Sequence, residues 1–509
     1  MLHLALFSGT RRVLMQDAPG QTDSRTGPPA SRRAPSRRPL RRRPFSRPAR
    51  IAFLSLIVPL IAVVALIAVR SEPLFAAARA AAAGAAPAGA STVKAPPRSS
   101  AVLFIGDGMG PSYVTATRVA LGGSGGHLHL DEMPYTALVR TWSADSPVTD
   151  SAAAVTAMAC GRKTVNGVLG QDASAIYGKK DGRPLESIAA WGKKHGLRVG
   201  LVTTTRVTHA TPAGFYASVN DRDRERAIAR QAIAAPIDLL LGGGEKFFAA
   251  GAPEREEDGW DPADKEDLEA AARSRGWVVA RTASEMQAIG ELDHPVLGLF
   301  GESHLPYEAR SPAPPDRHGA PTLEQMTRFA IGALRKTGAP FFLMVEGGRI
   351  DHAGHSNWAR TLIDETAAFD SAIGAALTGL DPKTTLVLVT ADHDTGGLAI
   401  NGYPDEKDGI LGTVRDAEGE PPHSVLTFAS GPGIGGNPDE APYGAEDPRP
   451  SGIALEAAVH TGIDVALYGW GAGADQVRGT LDNTAVYELL AAHLQGRKVE
   501  RDRLARPPR

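Results

Sequence analysis

The sequence predicts an α/β domain, a mostly parallel central sheet flanked by helices on both faces. Three observations lead there. Short apolar, β-branched runs recur at Ala101–Ile105, Val199–Thr203, Ile237–Leu241, Phe341–Val345, Leu386–Thr390 and Val425–Phe428, each of buried-strand length. Between them lie amphipathic or alanine-rich stretches of helical length at Pro184–His195, Arg224–Ala234, Asp264–Arg275, Leu323–Lys336 and Ala359–Leu377. Such alternation reads as βαβ units, whose crossover helices cover both faces of a parallel sheet. Finally, three of the runs end in charged or metal-ligating side chains: Asp107 after the first, Glu346 through His355 after the fourth, Asp392 and His393 after the fifth. Ligands of open α/β sheets collect at the carboxyl ends of strands.

The chain before the first run has a different character. From Arg11 to Arg50 it is dense in Arg and Pro and almost free of acids; residues 1–50 are expected to form a disordered cytoplasmic segment. Ile51–Val69 carries no charge and is long enough for a membrane-crossing helix. Residues 51–70 are therefore expected to be a transmembrane signal anchor or the core of a signal peptide, and Phe75-Ala76-Ala77-Ala78 offers a small-residue cleavage site. The arginine excess on the N-terminal flank directs the chain beyond residue 70 outward, to the periplasm or the cell exterior. Residues 71–99 have an Ala/Gly/Pro linker composition. One catalytic domain over 100–495 and a disordered basic tail over 496–509 complete the division. The formal net charge of −2 does not suggest a polyanion binder, so no nucleic-acid partner is expected. The single cysteine, Cys160, excludes an intramolecular disulfide and reads as a small buried side chain.

Asp351 and His355 are four residues apart, one above the other if their turn is helical, with His352 beside them. Such a pair is weak evidence by itself. Adding Asp392-His393 and Asp107 from two other strand ends gives the donors that a two-metal site uses to clamp entering and leaving oxygens of a phosphoryl transfer. The glycines around Asp107 form turns and admit a close approach of backbone to ligand. Between these ends, Val148 to Gly161 reads as a helix that starts at Ser151 after Thr149 or Asp150 as cap and stops at Gly161. A serine there is ordinarily a capping residue. A helix N-terminus also offers N–H groups and a positive dipole end to phosphate. Ser151 lacks the Gly-x-Ser-x-Gly elbow, so a metal rather than a histidine must activate it.

From about residue 100 to 495 the sequence resembles the alkaline phosphatase family. The resemblance is carried by IGDGMG at 105–110, VTDSAAAVTAMACGRKTVNG at 148–167, VTTTRVTHATPAGFYASV at 202–219, LLLGGG at 239–244, LGLFGESHLPYE at 297–308, LMVEGGRIDHAGH at 343–355, TADHDTGG at 390–397 and HTG at 460–462. It implies an alkaline phosphatase-like fold in which Asn401–Ser451 forms a short crown-like insertion, with a homodimer as the expected assembly. It implies hydrolysis of small-molecule phosphate monoesters by a phosphoserine at Ser151, with two Zn2+ and one Mg2+ as cofactors. Asp351, His355 and His460 then match the first zinc site; Asp107, Asp392 and His393 match the second; Asp107, Thr211 and Glu346 match the magnesium site. Arg222, eleven positions beyond Thr211, stands where the family has its phosphate-binding arginine, with Arg224 and Arg226 as alternative registers and Asp150 as its orienter. His209 and His352 join the metal set near the magnesium, where the enterobacterial form has Asp and Lys.

Three further readings are weighed against this one. A phosphodiesterase or nucleotide pyrophosphatase of the same superfamily more often uses threonine and an apolar second-ester pocket, against which Ser151 followed by three alanines stands. A sulfatase would need a Cys-x-Pro-x-Arg setting, which is absent. A non-catalytic metal- or phosphate-binding surface protein would be expected to have lost Ser151 or a ligand.

Overall fold

The computed structural model describes residues 99–255, 264–308, 317, 319–402, 409–414, 423–433 and 446–505. The expected segments 1–50 and 51–70 and nearly all of linker 71–99 lie outside the described residues; among those described, no helix is long and apolar enough to cross a membrane.

Ten strands form the central sheet: β1 (Ser100–Gly106), β2 (Tyr135–Arg140), β3 (Arg198–Arg206), β4 (Leu239–Gly243), β5 (Val278–Ala280), β6 (Val296–Leu299), β7 (Phe341–Gly347), β8 (Thr385–Ala391), β9 (Val465–Gly471) and β10 (Gly479–Asp482). Their order is β10-β2-β9-β8-β1-β7-β3-β4-β6-β5. Only β9 runs antiparallel to its neighbours. The predicted mostly parallel α/β sheet is therefore present, and its centre, β8-β1-β7-β3, is built from four of the runs read in the sequence. Ala101–Ile105, Phe342–Val345 and Val387–Val389 are fully buried. Apolar side chains on both faces of these strands explain why they read as continuous runs rather than alternations.

The helices that bear on the site are α1 (Pro111–Gly122), α2 (Ser151–Cys160), α3 (Ala210–Ala213), α4 (Arg349–His355), α5 (Ala359–Gly379) and α6 (Thr484–Leu494). Helix α2 starts and stops where its sequence dictates. Asp150 caps it by accepting from the Ala153 N–H at 2.9 Å, and Gly161 ends it at φ 67°, a conformation that glycine adopts without a Cβ clash. All ten of its residues are buried. Cys160 is buried among them, and burial pushes its thiol up to about 12.

Several element boundaries differ from those expected, each for a local reason. The run at Ile237 pairs only from Leu239 onward, because the Asp238 carboxylate turns back to accept from the Val199 N–H at 2.8 Å and to pair with Lys193 and Arg198 at 2.7 Å. The helix expected from Pro184 begins at Ile188, and the one expected from Asp264 begins at Leu268, because Ser187 and Asp267 act as N-caps. Val425–Phe428 does not enter the central sheet. Its strand, Leu426–Gly431, pairs instead with Ala399–Ile400 and Ser451–Ala454 in a separate three-stranded sheet at the insertion. The tail expected to be disordered from 496 contains a helix at Arg501–Ala505, where Leu504 is buried and Arg140 Nη2 donates to the Ala505 carbonyl at 2.6 Å.

One buried acid in this core is not part of the strand-end cluster. Glu365 on α5 is 2 % exposed and accepts from the Glu308 N–H at 2.5 Å. Arg317 pairs with Glu308 at 3.1 Å rather than with Glu365. Burial pushes the Glu365 carboxyl up to about 8. Between its ordinary value and about 8 the folded state holds a proton that the unfolded state has released, so stability falls as pH rises through that window. Glu365→Gln should raise the melting temperature at pH 9 by at least about 2 °C, with the gain shrinking towards pH 5; an equal gain at both values would show that the carboxyl does not titrate there.

Candidate active site

The sheet register brings the ligand-bearing strand ends together. Ile105 stands opposite Glu346 and Thr390, and Gly106 opposite Gly347 and Ala391, so Asp107 and Asp392 leave neighbouring parallel strands side by side. The turn after β1 is tight. Gly108 has φ 67°, and a Cβ at Gly110 would fall 1.7 Å from Asp394 Oδ1, so any larger residue there would have to displace the Asp394 carboxylate. The Gly108 N–H donates to Asp392 Oδ1 at 3.0 Å and so ties the two strand ends.

Helix α4 follows β7 and sets Asp351 and His355 on one face, with Nε2 to Oδ2 at 3.1 Å. His460 arrives on a two-residue strand that pairs with Asp394–Thr395. Its Nε2 lies 3.3 Å from His355 Nε2, and its Nδ1 is held 3.0 Å from the Thr149 carbonyl. His355 Nδ1 meets the Ala458 carbonyl at 2.5 Å. Bonds of this kind fix which ring nitrogen faces inward. The His393 ring stacks on that of His460 with centroids 3.6 Å apart. His393 Nε2 lies 3.2 Å from Asp392 Oδ2, 3.6 Å from Asp107 Oδ1 and 3.2 Å from Ser151 Oγ. A serine and two carboxylates converging on one imidazole nitrogen do not make a Ser-His-Asp relay, in which the acid binds the opposite ring nitrogen. They mark a point that all four atoms can share.

Three sets of these side chains bring their donor atoms within 4.8 Å of one another: Asp351, His393 and His460; Asp107, Asp392 and His393; Asp107, His209 and Glu346. Asp107 belongs to two of them. Thr211, on α3, is buried beside its neighbours in that loop. The test of whether cations belong here is the polar atoms left over. Asp107 Oδ1 and Oδ2, Asp392 Oδ2 and Glu346 Oε1 are all buried without a hydrogen-bond partner among the described residues, a costly arrangement for oxygens unless a positive ion takes their lone pairs. The charges agree. Burial, then repulsion from Asp392, Asp351 and Glu346, pushes Asp107 well above the carboxylate range, and burial takes Asp392 up to about 7. Burial raises Glu346 too, partly offset by the Thr203, Thr211 and Thr205 hydroxyls. Oxygen and imidazole donors in these proportions suit zinc and magnesium.

Ser151 opens α2 and is 2 % exposed. Of the three arginines that the sequence left open, Arg222 faces this site: its Nη1 donates to Asp150 Oδ2 at 3.1 Å and its Nη2 to His209 Nε2 at 3.2 Å. Arg224 donates to Glu254 at 3.0 Å, and Arg226 is buried against Asp264 and the Phe247 carbonyl. Asp150 also accepts from the Gly167 N–H at 3.0 Å, while the Arg222 N–H donates to the Gly167 carbonyl at 2.8 Å. Gly167 thus closes a latch around the arginine. His209 and His352 approach to 5.8 Å between ring centroids. His304, unassigned from the sequence although it stands within LGLFGESHLPYE, joins them at 5.7 and 4.3 Å. Thr395, likewise unassigned, donates to Asp351 Oδ1 at 2.5 Å. Neither had a metal-ligand spacing to reveal it.

A parallel α/β sheet whose strand ends gather acids and imidazoles about a helix-borne serine is the framework of a metal-dependent phosphoric ester hydrolase. The chain belongs to the alkaline phosphatase family, whose profile matches residues 99–495, and it is a phosphoric monoester hydrolase of the α/β type. Among its relatives are the membrane-bound alkaline phosphatase of Bombyx mori, 33% identical over 77% of this chain and 79% of that one, and the human tissue-nonspecific isozyme, 31% identical over 77% and 82%. Among solved structures, the alkaline phosphatase of Thermus thermophilus is 28% identical with a TM-score of 0.61 over 82% of this chain and 97% of that one. The enzyme of the Antarctic bacterium TAB5 is 26% identical with a TM-score of 0.60 over 78% and 98%.

Because Asp107 serves two donor sets, Asp107→Ala should cost the protein more than one metal equivalent per chain. Elemental analysis after dialysis measures this directly, and loss of a single equivalent would mean that the two sets do not share the carboxylate.

Proposed function

We propose that Ser151 is the nucleophile of a double displacement on phosphate monoesters, in a site for two zinc ions and one magnesium. The observation that carries this reading is the convergence of Ser151 Oγ with Asp392 and Asp107 on His393 Nε2, amid buried oxygens that have no other partner. Asp351, His355 and His460 would hold one zinc, Asp107, Asp392 and His393 the other, and Asp107, Thr211 and Glu346 the magnesium. When bound, these cations supply Lewis acidity, which promotes ionisation of the serine hydroxyl and of water and offsets charge on the leaving oxygen.

The protein's own part is orientation and charge. Ser151 Oγ attacks phosphorus in line; the new Ser–O–P bond forms as the ester P–O bond breaks and the alcohol leaves. Water then attacks the phosphoserine and releases inorganic phosphate. Arg222, held by Asp150, binds two non-bridging oxygens in a forked geometry. The first turn of α2 adds backbone N–H groups and the positive end of its dipole. Preorganised donors of this kind stabilise the transition state without reorganising during reaction.

Export of the catalytic domain belongs to the same proposal. It is supported by the uncharged run at 51–69 behind an arginine-rich flank and by a relative named as membrane-bound.

Ser151→Ala should abolish the acid-stable phosphoenzyme while the metals stay bound, since most ligands are untouched; label from radioactive phosphate remaining on the alanine variant at low pH would sink the assignment. The third site gives a second test. A histidine-to-aspartate variant of the TAB5 enzyme, 25% identical to this chain, holds Mg in its M3 site. Here His209 adds no negative charge beside Asp107 and Glu346, so magnesium should be held loosely. Protein stripped of metal and refilled with zinc alone should be activated by millimolar magnesium, and His209→Asp should reach full activity at roughly tenfold less magnesium; a flat titration, or one unchanged in the variant, would leave His209 with a packing role.

A further inference from the structure

Arg222 stands on a loop, and a hairpin remote in sequence from every strand-end donor holds that loop. The hairpin spans residues 171–184. Gln171 bridges to Pro184 and Ile176 to Lys180, and the Asp172 carboxylate joins the two arms by accepting from the Arg183 N–H at 3.1 Å and from its Nε at 2.6 Å. The tip turns at Gly178, φ 63°, a conformation that glycine enters without strain. Tyr177 precedes it and is 45 % exposed. A ring so exposed contributes little as core, and turn positions ordinarily go to small or polar residues. Its contacts account for its place.

Three contacts run from this tip to the arginine. The Tyr177 hydroxyl donates to Asp223 Oδ2 at 3.1 Å, and the Gly178 N–H donates to the Asn220 carbonyl at 2.9 Å, so the tip grips the chain on either side of Arg222. The Tyr177 ring lies against Gly167, where a Cβ would fall 2.4 Å from Cδ2 of the ring; only a glycine there admits so close an approach. Gly167 is the residue whose N–H meets Asp150 Oδ2 and whose carbonyl accepts from the Arg222 N–H. One side chain therefore presses on the latch with its ring and holds the residue after the arginine with its hydroxyl. Arg255 pairs with Asp221 and lies 3.9 Å from Asp223 Oδ2, so the acceptor of the phenol is itself held in place.

We propose that Tyr177 is a positioning residue of the phosphate site: from the tip of the hairpin it fixes the direction of the Arg222 guanidinium, and through it the affinity for phosphoryl oxygens. The proposal rests on reading Arg222 as the phosphate-binding arginine. A guanidinium that meets two oxygens in a fork is sensitive to the placement of its whole stem. Asp150 orients only the head of the side chain, at Nη1. The backbone beneath the stem is set by the Gly167 carbonyl and by the grip of Tyr177 and Gly178 on residues 220 and 223. Tyr177 acts through the arginine and not on the reacting atoms.

The test is a double-mutant cycle on the full chain at fixed free zinc and magnesium, read by competitive inhibition with inorganic phosphate and by kcat/KM for p-nitrophenyl phosphate. Tyr177→Phe keeps the ring on Gly167 and removes only the hydroxyl; it should weaken phosphate roughly threefold, as expected for one half-exposed hydrogen bond, with kcat/KM falling in parallel. Tyr177→Ala removes both grips and should weaken phosphate roughly tenfold. Asp223→Ala breaks the same hydrogen bond from its acceptor side. It should match Tyr177→Phe and add nothing to it, and this pair carries the test should Tyr177→Ala fail to fold. In an Arg222→Ala background, Tyr177→Ala should have no further effect, because a residue that acts through the arginine has nothing left to position. A phosphate constant unchanged in Tyr177→Ala, with only the melting temperature lowered, overturns the proposal. Arg222→Ala alone decides the reading beneath it: phosphate inhibition that survives this change refutes the arginine's role and the proposal with it, whereas a Tyr177 effect that persists without Arg222 refutes only the part given to Tyr177.

Discussion

The constraint on which the rest of this structure depends is the burial of three carboxylates, Asp107, Glu346 and Asp392, at one edge of the sheet, with imidazoles beside them but no lysine or arginine paired to them among the described residues. Asp107 and Glu346 are 0 % exposed and Asp392 is 1 % exposed. Acids so placed oppose folding until something positive joins them. The protein keeps its own cations at a distance: Arg222 is turned towards Asp150, and His355 answers Asp351 on the far side. This leaves a charge deficit of defined shape, which divalent ions fit and a stray lysine cannot fill.

Around that deficit the remaining elements serve as supports. The β8-β1-β7 register aligns the acids, Gly108 ties two of them, and the two-residue strand at His460 brings the last imidazole from the far end of the chain. Helix α2 is apolar on every side, as a helix must be when it is surrounded by core. Its burial fixes the position of Ser151 more firmly than a surface helix could. Arg222, by contrast, is carried by a loop and owes its direction to Asp150 and Gly167.

How much of this could be read from the sequence depends on which signals are local. The central strands were legible because burial on both faces leaves an uninterrupted apolar run, and α2 because its cap and its terminal glycine are adjacent in sequence. Strands β2, β5, β6, β9 and β10 escaped notice. β9 reads Val-Ala-Leu-Tyr-Gly-Trp-Gly, half-buried in alternation, and its glycines suggest a loop. The strand-end acids were legible because each came directly after a run. His304 and Thr395 were not, since their importance comes from neighbours about fifty to a hundred residues away or from a small sheet that no periodicity announces. Arg222 could be told from Arg224 and Arg226 only once their partners Glu254 and Asp264 were placed.

The side chains gathered with Ser151 come from residues 107, 351, 392, 393 and 460, so nearly the whole catalytic chain lies between the first and the last. A polypeptide emerging from its N-terminal end would carry Asp107 and Ser151 long before it could offer His460. No partial chain presents the full donor set, and tight capture of metal must wait until the last of the ligand-bearing segments has been delivered and the sheet has closed around it. That ordering makes metal selection a property of the folded domain and not of the growing chain.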